Sequence, residues 1–293
     1  MASQKDFKRR IASDKSTQKI TKAMKLVSAA KFARASHAIH AARPYSEAFK
    51  KMVSVLLASG GQNLKSPLLR QSDEKKALML LISSDRGLCG GLNANLFKVV
   101  KNWLIEKKKK GVEVDFLTWG RRPISFARKE SLTVIGQLER VLEKPKYDFA
   151  KDHTANLVKL FTSKEYDHIY IAYPKFKSAL VQEPQVNLLL PVEVEAVSAG
   201  ENQEQSAPQD FILEPSLAQL IDSLLTRKVS ASVFRALLEG AASDHGARMT
   251  AMDAATNNAQ EVIKKLTLRY NRARQAAITT ELTEIISGVE ALN

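Results

Sequence analysis

The stretch GARMTAMDAATNNAQEVIKKLTLRYNRARQAAITTELTEIISG, residues 246–288, decides the fold. Between its end glycines lie 41 residues with neither Gly nor Pro. Within them Met249, Met252, Thr256, Ala259, Ile263, Leu266, Tyr270, Ala273, Ala277 and Thr280 recur at alternating steps of three and four. That spacing is the seam of a coiled coil, sustained for more than four heptads. The helix is expected to begin near Pro215, a residue suited to a first turn, and to be roughly 100 Å long at 1.5 Å per residue. No compact domain of this size buries such a rod, so it must lie against another helix, another protein, or both.

The amino-terminal end supplies a second helix. Met1–Arg43 contains no Gly or Pro, a single Pro44 interrupts, and the next break is Gly60-Gly61. Ala, Lys, Arg, Met and Leu dominate, all good helix formers. One helix over 3–58 is predicted, with Pro44 as the place for a bend. The chain carries a net charge of +14, and residues 1–51 hold 13 Lys or Arg against only Asp6, Asp14 and Glu47. Such a segment is either a solvated helix face or a surface for something acidic: nucleic acid, an anionic membrane or an acidic protein.

The middle has a different period. Residues 77–83, 112–119, 132–138, 168–173 and 186–194 read as strands, and helical patterns at 92–109, 121–130 and 149–165 separate the first four. Strand–helix alternation predicts a largely parallel, Rossmann-like sheet covered by helices. Residues 198–210 are polar and read as a loose linker. The fold class is therefore α/β, with a long antiparallel two-helix coiled coil formed by the terminal helices. The expected division is an N-terminal helix in 1–60, a central α/β domain in 70–195, a linker in 196–214 and a C-terminal helix in 215–293. The inner ends of both long helices, near 58 and 215, join the same domain, so they pair only by leaving it side by side and antiparallel. The longer C-terminal helix then projects beyond its partner.

Chemistry-bearing motifs are scarce. The single Cys89 excludes an intrachain disulfide and fits a reducing compartment. No apolar run approaches the ~20 residues of a membrane span, and the first twenty residues lack a signal-peptide core. They are basic enough for a transit peptide, although Asp6 and Asp14 count against one. No G-x-x-x-x-G-K-[ST], G-x-S-x-G or H-E-x-x-H occurs. His37 and His40 share a helix face without a neighbouring carboxylate or cysteine, which is no metal set. No catalytic residue, cofactor or metal is expected.

Three features remain. Ser83–Gly91 (SSDRGLCGG) is a glycine-rich turn that could offer backbone N–H groups to phosphate, but its G-x-x-G-G spacing favours a tight strand-to-helix turn with positive φ. Lys107–Lys110 precede Gly111, where cations complement a helix dipole. After Arg274 there is no Lys or Arg, and Ala276, Ala277, Ile278, Leu282, Ile285 and Ile286 make a tip that needs an apolar collar. Just before it, Arg272, Arg274 and Gln275 could hold an acidic loop through charge-assisted hydrogen bonds.

On these residues the sequence resembles the gamma subunits of F-type ATP synthases. Ile20–Lys31 (ITKAMKLVSAAK) is similar to that family's N-terminal signature, Ser84–Asn93 (SDRGLCGGLN) to its central loop, and Arg269–Gly288 (RYNRARQAAITTELTEIISG) to its C-terminal signature. The sequence departs at Val289, where the family usually carries alanine. The resemblance implies a central stalk turning inside a ring of three alpha and three beta subunits, its globular end resting with epsilon on a membrane ring of c subunits. Residue by residue it implies that Arg274, Gln275 and Thr279 meet the beta subunit and that Met24, Lys25 and Arg248 couple rotation to catalysis. Asp85, Arg86, Gly87, Gly90 and Gly91 would form the conserved globular loop. It further implies no nucleic acid, membrane contact only through the c ring, and a place on the cytoplasmic face of a bacterial plasma membrane.

Two rival readings make different demands. A nucleic-acid-binding coiled coil would use the basic N-terminal segment, yet only Phe7, Phe32, Tyr45 and Phe49 interleave there for stacking, and the tip goes unexplained. A nucleotide-using enzyme on the central sheet would lack a phosphate-loop lysine.

Overall fold

The computed structural model describes residues 4–58, 66–70, 72–192 and 217–290. Helix α1 spans Gln4–Ala58 and helix α5 spans Leu217–Glu290, 74 residues or about 110 Å. Between them come strand β1 (Lys76–Ile82), helix α2 (Leu92–Lys109), β2 (Glu113–Trp119), α3 (Arg121–Lys129), β3 (Val134–Leu138), α4 (Tyr147–Thr162), β4 (His168–Phe176) and β5 (Gln182–Leu190). The linker read at 196–214 lies outside the described residues. The chain divides into two compact units, residues 1–29 with 248–293 and residues 30–247.

In the 30–247 unit the strand order is β3-β2-β1-β4-β5. The first four strands are parallel, as expected of βαβ connections, while β5 returns antiparallel to β4. A crossover helix is needed between parallel neighbours, but the short turn after β4 permits only a hairpin. Strand β1 is central and buried from Ala77 to Ile82, which is why its sequence is continuously apolar rather than alternating. Its residues divide by parity between two cores. Leu78, Leu80 and Ile82 join Trp119, Leu157, Phe161, Val233 and Leu237 beneath α4 and α5. Met79 and Leu81 join Leu96, Val100, Leu104 and Phe116 beneath α2.

Helix α5 reaches the sheet through small residues. A Cβ on Gly240 would stand 3.3 Å from Leu142, and one on Gly246 would stand 3.3 Å from the Ala179 Cα and from the Phe32 ring. Ala236, Ala241, Ala242 and Ser243 are buried alongside. Phe32 in turn packs on Phe176, ring centroids 5.6 Å apart.

In the unit of 1–29 and 248–293 the two helices run antiparallel. Lys25 Nζ lies 2.6 Å from Asp253 Oδ1, and Thr21 Oγ1 lies 2.8 Å from Thr256 Oγ1, so partner numbers rise as α1 numbers fall. On α5 the seam residues from Met249 to Ala273 are the shielded ones, Met252 the most deeply. On α1 the matching positions are Phe7, Ile11, Asp14, Gln18, Thr21, Lys25 and Ser28, again at steps of four and three. The expected seam continues too far, because Ala277 and Thr280 are exposed. At the observed register Gln4 is level with Ala273, so no described residue of α1 shields them.

Candidate partner interface

The residues singled out from sequence fall into three places. Met24, Lys25 and Arg248 lie where the helix pair begins. Lys25 pairs with Asp253, its side chain 40% exposed and that of Asp253 46%; Met24 is half-buried and Arg248 is buried. Arg274, Gln275 and Thr279 stand roughly 30–40 Å further along α5, at 1.5 Å per residue from Asp253. All three are exposed, as is every residue from Arg274 to Gly288. Ile278, Leu282, Ile285 and Ile286 are large apolar side chains in that bare stretch, between 49% and 63% exposed. The Thr279 hydroxyl bonds back to the Gln275 carbonyl at 3.0 Å, so its methyl is the group offered outward.

A second apolar strip lies on α1. Ile20, Met24 and Val27 follow steps of four and three, about a third of a turn round the helix from the seam. Ile20 and Val27 are 57% and 58% exposed. Lys5, Lys8, Arg9, Arg10, Lys15, Lys19 and Lys22 are exposed on the same helix. The pair therefore offers a basic, partly apolar flank and a bare apolar tip.

The glycine-rich loop of the 30–247 unit is held from within. Ser83 Oγ donates to Asn93 Oδ1 (2.6 Å), and Asn93 Nδ2 donates to Cys89 Sγ (3.1 Å). Asp85 Oδ1 accepts from the backbone N–H groups of Arg121 (3.1 Å) and Arg140 (2.9 Å), tying the β1, β2 and β3 ends together. Leu88 and Gly90 adopt positive φ, 62° and 58°, which gives the turn its tightness. Arg86, Gly90 and Gly91 are exposed and Gly87 partly so. Arg121, Arg140, Glu143, Asp85 and Arg86 line a shallow depression there. Hydrogen bonding and charge from Glu139 raise the Arg121 pKa above its ordinary value, so Arg121 keeps its charge in this pair.

In an open α/β sheet the crevice where the strand order reverses is the ligand position. Here that point lies between β1 and β4, and α5 fills it. A Cβ on Gly240 would be 4.0 Å from Ile82, Ser243 Oγ donates to the Pro174 carbonyl at 3.0 Å, and Ala247 clusters with Cys89 and Leu92. A nucleotide would compete with this helix for the same space. Glu239, on the same buried face, bonds Arg235 at 2.6 Å. Burial, with the Glu239 charge adding to it, pushes the Tyr173 hydroxyl up to about 12.

Sequence reasoning missed several of these groups. Lys107 does more than complement the α2 dipole: its ammonium is nearly enclosed, 2.7 Å from Glu74 and 2.7 Å from the Tyr170 hydroxyl. Thr256 carried no signal beyond its seam position, and Asp253 and Thr21 carried none, since a lone acid or hydroxyl on a helix is ordinary until its partner is known.

A long antiparallel helix pair in one unit and a five-stranded, Rossmann-like α/β sheet in the other define the class by its fold. The family model described as ATP synthase matches residues 3–292, and the chain belongs to that family. The relatives are gamma chains. That of Geobacter metallireducens is 45% identical over 294 residues, covering 100% of this chain and 99% of the relative. That of Geobacter sp. strain M21 is 46% identical with the same coverage. A solved structure of the Euglena gracilis mitochondrial ATP synthase (OSCP/F1/c-ring, rotational state 3) contains a chain of the same fold, TM-score 0.66 at 18% identity, covering 99% of this chain and 94% of that one.

Proposed function

We propose that this chain is the rotating central stalk of a proton-translocating ATP synthase, coupling proton flow through a c ring to ATP synthesis or hydrolysis at the beta subunits. The observation that carries the reading is the α5 tip. It outruns α1 and leaves Ile278, Leu282, Ile285 and Ile286 bare, a surface that calls for enclosure by other proteins. A ring of three alpha and three beta subunits supplies that collar, and an acidic beta segment suits the basic flank of α1. Gln275 and Arg274 present amide and guanidinium groups at the collar's entrance, and Met24, Lys25 and Arg248 lie at the base of the pair.

In this reading 1–60 and 215–293 form the shaft, 70–195 the driven globular domain and 196–214 the linker. The globular loop of Asp85, Arg86, Gly87, Gly90 and Gly91 belongs to that domain, which sits with epsilon on the c ring. Rotation acts as a population shift: each orientation of an asymmetric shaft makes different contacts with each beta conformation, and that free-energy difference sets the three occupancies. Chemistry stays with beta. No helix among the described residues is long and apolar enough to cross a membrane, so membrane attachment runs through the c ring, on the cytoplasmic face of the bacterial plasma membrane.

The test is co-expression with the other subunits. A stoichiometric complex holding three copies each of two larger nucleotide-binding subunits, with ATP-driven rotation of this chain, supports the reading. A chain that purifies alone, or binds nucleic acid at moderate salt in preference to the ring, defeats it.

A further inference from the structure

The α1 seam is unusual for a coiled coil. Of Phe7, Ile11, Asp14, Gln18, Thr21, Lys25 and Ser28, the last five are polar, and they face a stretch containing Met249, Met252, Thr256 and Ala259. Small and flexible side chains of this kind pack about as well one heptad along, so apolar fit does not choose the register. Two contacts do. Thr256 Oγ1 lies 2.8 Å from Thr21 Oγ1, whose own hydroxyl reaches the Gln18 carbonyl at 3.1 Å. Lys25 Nζ lies 2.6 Å from Asp253 Oδ1.

The geometry points to Thr21, Lys25, Asp253 and Thr256 as a polar clasp that sets the axial register of α1 against α5 and stops the helices sliding under torsional load. Sliding by one heptad, about 10.5 Å at 1.5 Å per residue, would bring Thr21 level with Met249 or Ile263. Thr21, a residue only 8% exposed, would keep the Gln18 carbonyl on its own helix but exchange the Thr256 hydroxyl for an apolar side chain. The same slide brings Lys25 level with Gly246 or Gln260, and Asp253 is the only acid between residues 245 and 260. The ion pair is half-exposed and adds little to stability; its effect is to penalise wrong registers. Twisting a two-stranded rod drives one strand past the other, so resistance to sliding is torsional stiffness. This mechanical meaning rests on the stalk reading; the register itself does not. Thr21, Asp253 and Thr256 are thus positioning residues, and Lys25 acts through Asp253.

Disulfide mapping in the full-length chain tests it. Gln18→Cys with Ala259→Cys reports the native register, and Gln18→Cys with Leu266→Cys reports a one-heptad slide, each read after oxidation by non-reducing gel and mass spectrometry. With the clasp intact, only the first pair is expected to close. In Asp253→Lys with Thr256→Val the second pair is expected to close severalfold more and the first correspondingly less, at an unchanged thermal midpoint. Asp253→Asn, which keeps the shape, is expected to lie between, and serves if the charge reversal does not fold. Adding Lys25→Asp to Asp253→Lys, with Thr256→Ser restoring a hydroxyl, is expected to return the native pattern. An unchanged pattern in Asp253→Asn and Asp253→Lys, or failure of the swapped pair to restore it, overturns the clasp. In the assembled complex Asp253→Asn is expected to lower the ratio of synthesis to hydrolysis. Failure of the parent chain to assemble defeats the stalk reading alone, because the disulfide pattern is still read on the free chain.

Discussion

Gly120 stands so close to Ser83 that a Cβ on it would lie 2.2 Å from the Ser83 carbonyl oxygen. Its φ of 112° lies in a region that side chains avoid. The approach lets β1 and β2 end together, with Ser83 N–H donating to Trp119 and Gly120 N–H to Leu138. From that junction the glycine-rich loop and α3 both depart.

Gly120→Ala is therefore expected to destabilise the 30–247 unit by about 2–4 kcal/mol, from strain and steric overlap together. Urea unfolding measures this directly. A loss below about 0.5 kcal/mol, the level of an ordinary surface substitution, would contradict the close approach.

Asp85 ties two loops through backbone donors on Arg121 and Arg140. Asp85→Ala leaves both N–H groups without this acceptor and is expected to cost about 1–3 kcal/mol. Asp85→Asn keeps one acceptor oxygen and is expected to lose less than half of that. Equal losses in the two variants would show that charge, not the hydrogen bonds, matters there.

Stability is expected to fall on mild acidification. Burial lowers the pKa of His153 and of His168, so in each case the folded state releases its proton more readily than the unfolded one. The neutral forms favour folding. Their contribution is complete above the ordinary histidine value of about 6.5 and is lost as pH drops from there through the lowered folded values. Thermal midpoints at pH 7.5 and pH 5.5 measure this, and replacing both histidines by Phe is expected to flatten the difference. A midpoint that rises on acidification would contradict the sign.

Gln275→Leu keeps approximate bulk and removes the amide from an exposed position. In the assembled complex it is expected to reduce proton-driven ATP synthesis severalfold while subunit stoichiometry stays normal. Unimpaired synthesis would remove Gln275 from the interface.

Most of the secondary structure was legible because its periods are strong. The strands at 77–83 and 112–119 and the helix at 92–109 were read within a residue of Lys76–Ile82, Glu113–Trp119 and Leu92–Lys109. The last strand was read late, at 186–194 against Gln182–Leu190, because its first half is polar and only half-buried at a sheet edge. The role of the glycine-rich loop was half legible: its spacing spoke for a turn, but Asn93, Asp85 and the Arg121 and Arg140 backbone meet only when three strand ends converge. The further partners of Lys107 were hidden for the same reason, since Glu74 and Tyr170 lie far from it in sequence.

By itself the sequence determined that two long helices flank a parallel α/β sheet, because helical and strand periodicity are local properties of the chain. It also determined a tip without basic residues, since no lysine or arginine follows Arg274. Only the tertiary structure decided where the paired seam ends, that α5 closes the sheet's ligand crevice, and that Lys25 meets Asp253. Those outcomes depend on register and on close approach between residues from about 70 to more than 200 positions apart, and pairwise contacts of that kind leave no period behind.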